Sequence, residues 1–456
     1  MSQDLVHLVY LLAALCFILA LKGLSTPKHA RAANLVGALG MLFAVLVAFF
    51  DGRIGNVGWI LAAIALGVVV GVPAARAVKM TAIPQMVALF NGVGGAAAAL
   101  VALTEFLATP GSTGMRAATV FGVLVGSVSF SGSLLTFLKL QELMTTRPVT
   151  LPYGRSAAIG VSVLCLGLAV AVLPTASTGL VIGLTVAGLL LGVLFVLPVG
   201  GADVPIAISL LNAFTGLAVA ASGYVLGNTL LIVAGTLVGA SGTLLTRLMA
   251  KAMGRSLTNI LFGAFTATAA GGGGPAESRT VRAGTPEDIA IQLGYARTVV
   301  VVPGYGLAVA QAQHVVRELA DLLAARGVEV AYGIHPVAGR MPGHMNVLLA
   351  EADVPYAQLK EMEEVNPRLA STDVALVIGA NDVVNPAARD QPDSPIYGMP
   401  ILDVDKAESV VFLKRSMRPG FAGIENELLF NPRTTLLFGD AKDSLASLVT
   451  AVKQLA

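Results

Sequence analysis

The sequence predicts a polytopic α-helical membrane domain of about nine spans, followed by an α/β doubly wound, Rossmann-like domain. Three observations predict it. Mean hydropathy is +0.80 and only 12% of residues are charged, against roughly 25% in ordinary soluble domains. The charge is also partitioned: residues 1–265 carry 13 Lys/Arg and 5 Asp/Glu, a net +8, whereas 266–456 carry 16 and 22, a net −6. Finally, the hydrophobic pattern changes from runs of about 20 apolar residues to short β-rich runs alternating with helical stretches. The near-neutral total hides two solvents.

A spanning helix needs ~20 mostly apolar residues. Such runs fall at about 4–22, 32–50, 55–74, 84–106, 117–138, 155–173, 178–198, 205–226 and 228–250. The loop charges test this independently. With the N-terminus outside, the inner loops hold Lys22, Lys28, Arg31, Arg76, Lys79, Lys139, Arg147, Arg155, Arg247, Lys251 and Arg255, and the outer loops only Arg53 and Arg116. That is a strong positive-inside bias, and an odd number of spans puts the C-terminal domain in the cytoplasm. The basic residues thus report topology, and nucleic-acid binding is not expected. The N-terminus lacks a basic leader, so a cleaved signal peptide is not expected. Cys16 and Cys165 lie in apolar runs without metal-ligand spacing, as small packing residues do.

The spans are rich in small residues, including the serines at alternate positions from Ser127 to Ser133, which suit close helix packing in lipid. Asn91 in the fourth run and Asn212 in the eighth are costlier side chains in a bilayer. They could bond each other or hold a water chain. Asp203 stands at the inner mouth of the eighth run. These three are the candidates for a proton path. No histidine lies deep in a run and no acid at mid-depth.

The domain boundaries read as 1–258 for the membrane part, 259–285 for a flexible linker and 286–456 for the soluble part. Four consecutive glycines, 271–274, suit a tether. Beyond it, Thr298–Val302 reads as a buried parallel strand. A helix follows to Arg326-Gly327, where glycine makes a good C-terminal cap. Further strands are expected at Val328–Ile334, Asp373–Gly379, Pro400–Val404, Ser409–Leu413 and Thr434–Phe438. Gly304 and Gly306, between the first strand and its helix, form part of a dinucleotide fingerprint. The first glycine permits the tight turn and the second lets a pyrophosphate approach the backbone. Val309 stands where the third glycine is usual.

The second strand ends at His335-Pro336, without the acid that would bond the ribose of NAD. Lys414, Arg415 and Ser416 follow another strand and make a phosphate clamp. The missing acid and the clamp together favour NADP over NAD. Asp382, in a Gly-rich loop beside a phosphate ligand, is either an acid of shifted affinity or a structural turn residue.

Several strings in order, VPGYGL at 302–307, HPVAGRMPGHMNVLLAEA at 335–352, GANDVVNPA at 379–387 and KRS at 414–416, resemble the beta subunit of proton-translocating nicotinamide nucleotide transhydrogenase. In the membrane part GGADVP at 200–205 and SLLNAFTG at 209–216 extend the resemblance. It implies NADP(H) on this chain and NAD(H) on a partner alpha subunit that adds further membrane helices. Hydride would pass directly between the nicotinamides, coupled to proton movement, in a bacterial plasma-membrane type complex that is itself a homodimer. By position, Gly304, Tyr305 and Gly306 would lie along the nucleotide. Val337, Ala338, Gly339, Arg340, Met341 and Pro342 would contact it. Gly379, Ala380, Asn381, Asp382 and Val383 would line the site, with Asp382 as the acid linked to nucleotide state. Lys414, Arg415 and Ser416 would hold the 2′-phosphate, Gly420 and Phe421 would belong to a lid, and Asp440 and Ala441 would stand nearby. One departure concerns Asn91, which takes the place of a histidine tied to proton transfer in some members. The other reading that composition allows is a transporter or channel gated by a cytoplasmic nucleotide-sensing domain.

Overall fold

The computed structural model describes residues 3–252 and 280–455, apart from 26, 51–54, 80–81, 109–110, 146–147, 150, 201–202, 340–342, 393, 395 and 421–423. Nine helices among the described residues are long and apolar enough to cross a membrane. They are α1 (Gln3–Gly23), α2 (Pro27–Phe50), α3 (Val57–Ala77), α4 (Ile83–Ala108), α5 (Thr113–Leu140), α6 (Gly154–Thr175), α7 (Thr178–Val196), α8 (Val204–Val225) and α9 (Thr229–Ala252). Each overlaps one predicted run. Their apolar side chains are largely exposed on this chain, α3 burying none, as expected of surfaces solvated by lipid or by further helices.

Helix α5 is the most buried of the nine, and it packs on α4, α6, α7 and α8. Its small residues make that possible. A side chain at Gly126 would stand 2.7 Å from the Gly95 carbonyl of α4, and one at Gly192 of α7 would strike the Val128 carbonyl. At the end of α5, Lys139 is fully buried. Its Nζ donates to the carbonyls of Val196 (3.0 Å), Leu197 (2.7 Å) and Val199 (2.8 Å). A helix leaves its last carbonyls unsatisfied, and Lys139 satisfies that of Val196, the last residue of α7, and those of Leu197 and Val199 just beyond it. This cation, read from sequence as a loop charge, is a cap.

The C-terminal region begins with α10 (Pro286–Gly294), capped by Thr285 and Asp288 in a reciprocal capping box. It continues through β1 (Thr298–Pro303), α11 (Tyr305–Val309), α12 (Gln313–Ala325), β2 (Glu329–Ile334), α13 (His344–Glu351), β3 (Leu359–Glu361), α14 (Met362–Leu369) and β4 (Val374–Ile378). Then come α15 (Ala387–Asp390), β5 (Ser409–Lys414), β6 (Thr434–Phe438) and α16 (Ala441–Gln454). The strands form one parallel sheet, β3-β2-β1-β4-β5-β6. One apolar core lies under α10, α12, α13 and α16, the other under α14 and the segments after β4. Strand order reverses between β1 and β4, so a crevice opens beyond their carboxyl ends.

The structure departs from the sequence reading in four places. The helix after β1 is two helices, parted at Gln311, whose φ is +50°. Strand β3 was not foreseen; three residues carry too little periodicity to register. Pro400–Val404 is not a strand. Its apolar residues are buried, but β4 already pairs with β1 and β5, leaving no ladder for it. It crosses the strand ends instead, with Leu402 N–H bonded to Val383 O at 2.9 Å. Finally, the last residues assigned to the linker are ordered. Leu436 N–H donates to Arg282 O (2.8 Å) and Gly284 N–H to Leu436 O (2.9 Å), so residues 282–284 run along the β6 edge. The glycine run lies outside the described residues.

Candidate functional site

The crevice is built from glycines. A side chain at Gly304 would stand 2.4 Å from Ala380 Cα, and one at Gly306 would stand 2.7 Å from Gly379 Cα. Gly379 itself has φ +67°, a region that L side chains rarely adopt. Gly304 N–H donates to Ile378 O and Gly306 N–H to Gly379 O, both at 2.9 Å. The turn after β1 and the loop after β4 therefore touch backbone to backbone. The fingerprint glycines were expected to make room for a pyrophosphate. Here they make room for the neighbouring loop, which the sequence showed as a separate Gly-rich string.

Two adjoining clefts share Gly306, Gly379, Ala380, Asn381 and Gly420. The larger, of about 520 Å³, is the polar end, bordered by Lys414, Arg415, Ser416, Arg418, Asp440 and Ala441. Arg415 and Ser416 are exposed. Lys414 is half-buried, and its Nζ donates to Asn381 Oδ1 at 3.0 Å. Burial pulls its ammonium below the usual lysine range, partly offset by the field of Asp382. Asp440 also caps α16, accepting from Lys442 N–H at 3.0 Å.

The other cleft, of about 420 Å³, is bordered by Tyr305, Val337, Ala338, Gly339, Asp382 and Val383, with Met399 and Pro419. Its remaining wall comes from the membrane part: Leu140 at the end of α5 and Pro205 in the first turn of α8. Val337 also packs near Ile206, Met249 and Ala250. The carboxyl ends of the strands thus face the C-terminal ends of α5 and α9 and the N-terminal end of α8. Tyr305 and His344 lie with ring centroids 6.2 Å apart. Arg340, Met341, Pro342 and Phe421 lie outside the described residues. The other nucleotide-site residues expected from sequence all border one cleft or both.

Sequence reasoning missed Leu140 and Pro205, since nothing local marks a contact with a domain so far along the chain. It also missed His335 as a structural part. That side chain is 1% exposed. Its Nδ1 accepts from Val337 N–H (3.2 Å), so the proton sits on Nε2, which donates to Pro400 O (2.7 Å). The imidazole joins the two walls of the cleft, one carrying Val337, the other Met399. Burial holds its affinity for a proton down to about 4. On the far side, Asn426 Nδ2 donates to Asn381 O (3.0 Å) and Asn385 Nδ2 to Glu425 O (3.1 Å), fastening the chain after Gly420 to the loop after β4.

In the membrane part, Asn91 of α4 is buried against α5. Its Nδ2 donates to Ser133 Oγ (2.8 Å) and lies 3.4 Å from Ser129 Oγ. Ser129 in turn bonds Leu211 O (2.9 Å) and Thr215 Oγ1 (2.6 Å) on α8. Asn91 Oδ1 has no hydrogen-bond partner among the described residues. The two asparagines are not a pair, because Asn212 is exposed on α8. The serines at i and i+4 on α5 were visible in the sequence but read only as packing. One turn and a half before Asn91, Gln85 Nε2 donates to Leu140 O at 3.1 Å, the residue that borders the smaller cleft. Asp203, buried, precedes α8.

These features together are nine long apolar helices among the described residues, with a buried polar seam between α4, α5 and α8, joined to a parallel sheet whose switch-point crevice opens onto the ends of α5 and α8. Comparison with known proteins agrees over the whole length. The family model described as NAD(P) transhydrogenase beta subunit matches residues 6–451. Two proteins from Rhodospirillum rubrum named NAD(P) transhydrogenase subunit beta, one assigned to a particular strain, are each 48% identical over 464 residues, covering 99% of this chain and 100% of theirs. This chain belongs to the NAD(P) transhydrogenase beta-subunit family.

Proposed function

We propose that the chain binds NADP(H) and serves as the proton-translocating beta subunit of a membrane transhydrogenase. An alpha subunit would carry NAD(H) and further membrane helices, and the complex would pair as a homodimer. The observation that carries the nucleotide assignment is the polarity of the joined clefts. One end offers Lys414, Arg415 and Ser416, a cationic clamp suited to a phosphate dianion. The acid that would favour a free ribose hydroxyl is replaced after β2 by His335, turned inward and neutral. The other end is mostly apolar, with Tyr305 and Asp382 among its polar members, and offers a surface for the nicotinamide ring. An elongated crevice of this size fits a dinucleotide.

The nucleotides supply the hydride chemistry. The chain's own residues bind, orient and exclude water. Lys414, Arg415 and Ser416 hold the 2′-phosphate, and the Gly304–Gly306–Gly379 contact fastens the turn after β1 to the loop after β4, which both clefts share. Val337, Leu140 and Pro205 shield the apolar end. Asp382 supplies a charge at the junction with the membrane part. The seam of Asn91, Ser129, Ser133 and Thr215 orients hydrogen bonds for a proton, aided by Asp203 and Asn212. Coupling follows if proton occupancy of the seam changes how the cleft docks on α5 and α8, because both events then bias one two-state element. The positive-inside pattern supports a cytoplasmic soluble domain and an outside N-terminus.

The test is binding to the full-length chain in detergent by calorimetry. NADPH should bind at least tenfold more tightly than NADH, and Arg415→Ala should erase the difference. Equal affinities would overturn the 2′-phosphate assignment. Nucleotide binding with no hydride transfer in the assembled complex would favour a gated transporter or channel.

A further inference from the structure

We propose that Asn381 is a positioning residue that ties recognition of the 2′-phosphate to the charge of Asp382; this rests on the NADP(H) reading above. Asn381 borders both clefts, and its two amide atoms are committed in opposite directions. Oδ1 accepts from Lys414 Nζ at 3.0 Å, and Nδ2 donates to Asp382 Oδ1 at 3.0 Å. That orientation is forced, since a flipped amide would turn its NH₂ toward an ammonium and its oxygen toward a carboxylate. The backbone is fixed as well. Asn426, 1% exposed, donates to Asn381 O and accepts from Leu428 N–H at 3.0 Å. Above the pair, a side chain at Gly420 would stand 2.5 Å from Asn381 Nδ2 and 2.8 Å from Asp382 Oδ1. The backbone of the next segment therefore closes over the amide and carboxylate without room for a side chain.

Lys414 polarises the Asn381 amide, which strengthens its hydrogen bond to Asp382. A phosphate dianion in the polar cleft competes for the same ammonium. As Lys414 turns toward phosphate, the amide donates more weakly and the carboxylate of Asp382 loses support. Asp382 at the membrane-facing cleft thus feels whether the distant end of the nucleotide carries a 2′-phosphate. By linkage, a change at Asp382 alters the hold on the phosphate by the same factor. The other charged groups at the polar cleft, Arg415, Arg418 and Asp440, act on the phosphate without a contact to this amide.

The test is a double-mutant cycle on the full-length chain in detergent, reading NADPH and NADH dissociation constants by calorimetry. With Asn381 present, Lys414→Gln and Asp382→Asn should be non-additive for NADPH by about 3- to 10-fold, in the lower part of the range for directly connected groups, and additive for NADH. In an Asn381→Leu background the NADPH effects should become additive within about twofold. Asn381→Ser, a smaller change, gives the same readout if the leucine variant is unstable. Unchanged non-additivity in both backgrounds overturns the role of Asn381 while leaving the NADP(H) reading intact. A wild-type chain with no preference for NADPH overturns both.

Discussion

The amide nitrogen of Asn91 donates to Ser133 Oγ at 2.8 Å across the α4–α5 interface, which makes an uncharged residue the centre of the buried polar seam. An amide cannot titrate, so on the proposed proton path it would only orient a proton carried by something else. Its oxygen, without a partner among the described residues, would be the acceptor left over for that purpose.

Replacing Asn91 by His would introduce a titrating group at that point. The pH profile of coupled transhydrogenation in reconstituted vesicles should then differ from that of the native protein. Ser133→Ala should leave nucleotide binding unchanged and lower proton pumping, measured by dye quenching. An unchanged pumping-to-hydride ratio in both variants would remove the seam from the proton path.

Arg415→Ala should weaken NADPH binding by about 10- to 100-fold, corresponding to the roughly 1.5–3 kcal/mol of a hydrogen bond to a charged group. NADH binding should change by less than about twofold. Loss of both affinities alike would mean that Arg415 supports the fold of the cleft rather than reading the phosphate.

Gly379→Ala meets two obstacles: the +67° backbone angle and a methyl group 2.4 Å from Gly306 Cα. The backbone term alone costs about 1–2 kcal/mol. Separation of the two loops should also open both clefts. Differential scanning calorimetry should give a lower unfolding temperature for the soluble part, and NADPH affinity should fall with it.

His335 makes stability depend on pH in a defined direction. Its affinity is about 4 in the folded protein against roughly 6.5 unfolded, so between these values the unfolded chain binds the extra proton. Stability is therefore complete above about pH 6.5 and is lost as pH falls toward 4, by up to ~3 kcal/mol. The unfolding temperature of the native chain should fall across that window. His335→Gln should flatten the slope. If the slope persists in this variant, another group is its source.

Soluble fragments provide a further check. Because residues 282–284 pair with β6, a fragment beginning at 280 should resist thermal unfolding better than one beginning at 286. Equal unfolding temperatures would show that the edge pairing contributes nothing.

The nine spans and most of the sheet were legible because each is announced by its own residues: a long apolar run, or four valines between turn signals. The Lys414-Arg415-Ser416 string at the end of β5, proposed above as a phosphate clamp, was legible for the same reason, as three adjacent residues. Pro400–Val404 misled because burial alone produces an apolar segment. Only pairing makes it a strand, and both sides of β4 were already taken.

By itself, then, the sequence determined the division into lipid-facing and water-facing parts, the order of their elements and the chemistry at the end of β5. These depend on hydropathy and spacing between near neighbours, which are written locally. The tertiary structure decided that Asn91 bonds Ser133 and not Asn212, that Leu140 and Pro205 wall the cleft beyond β1 and β4, and that Asn381 joins Lys414 to Asp382. Each is a contact between elements distant along the chain, fixed by which helix faces and strand ends pack together, and no local period encodes that choice.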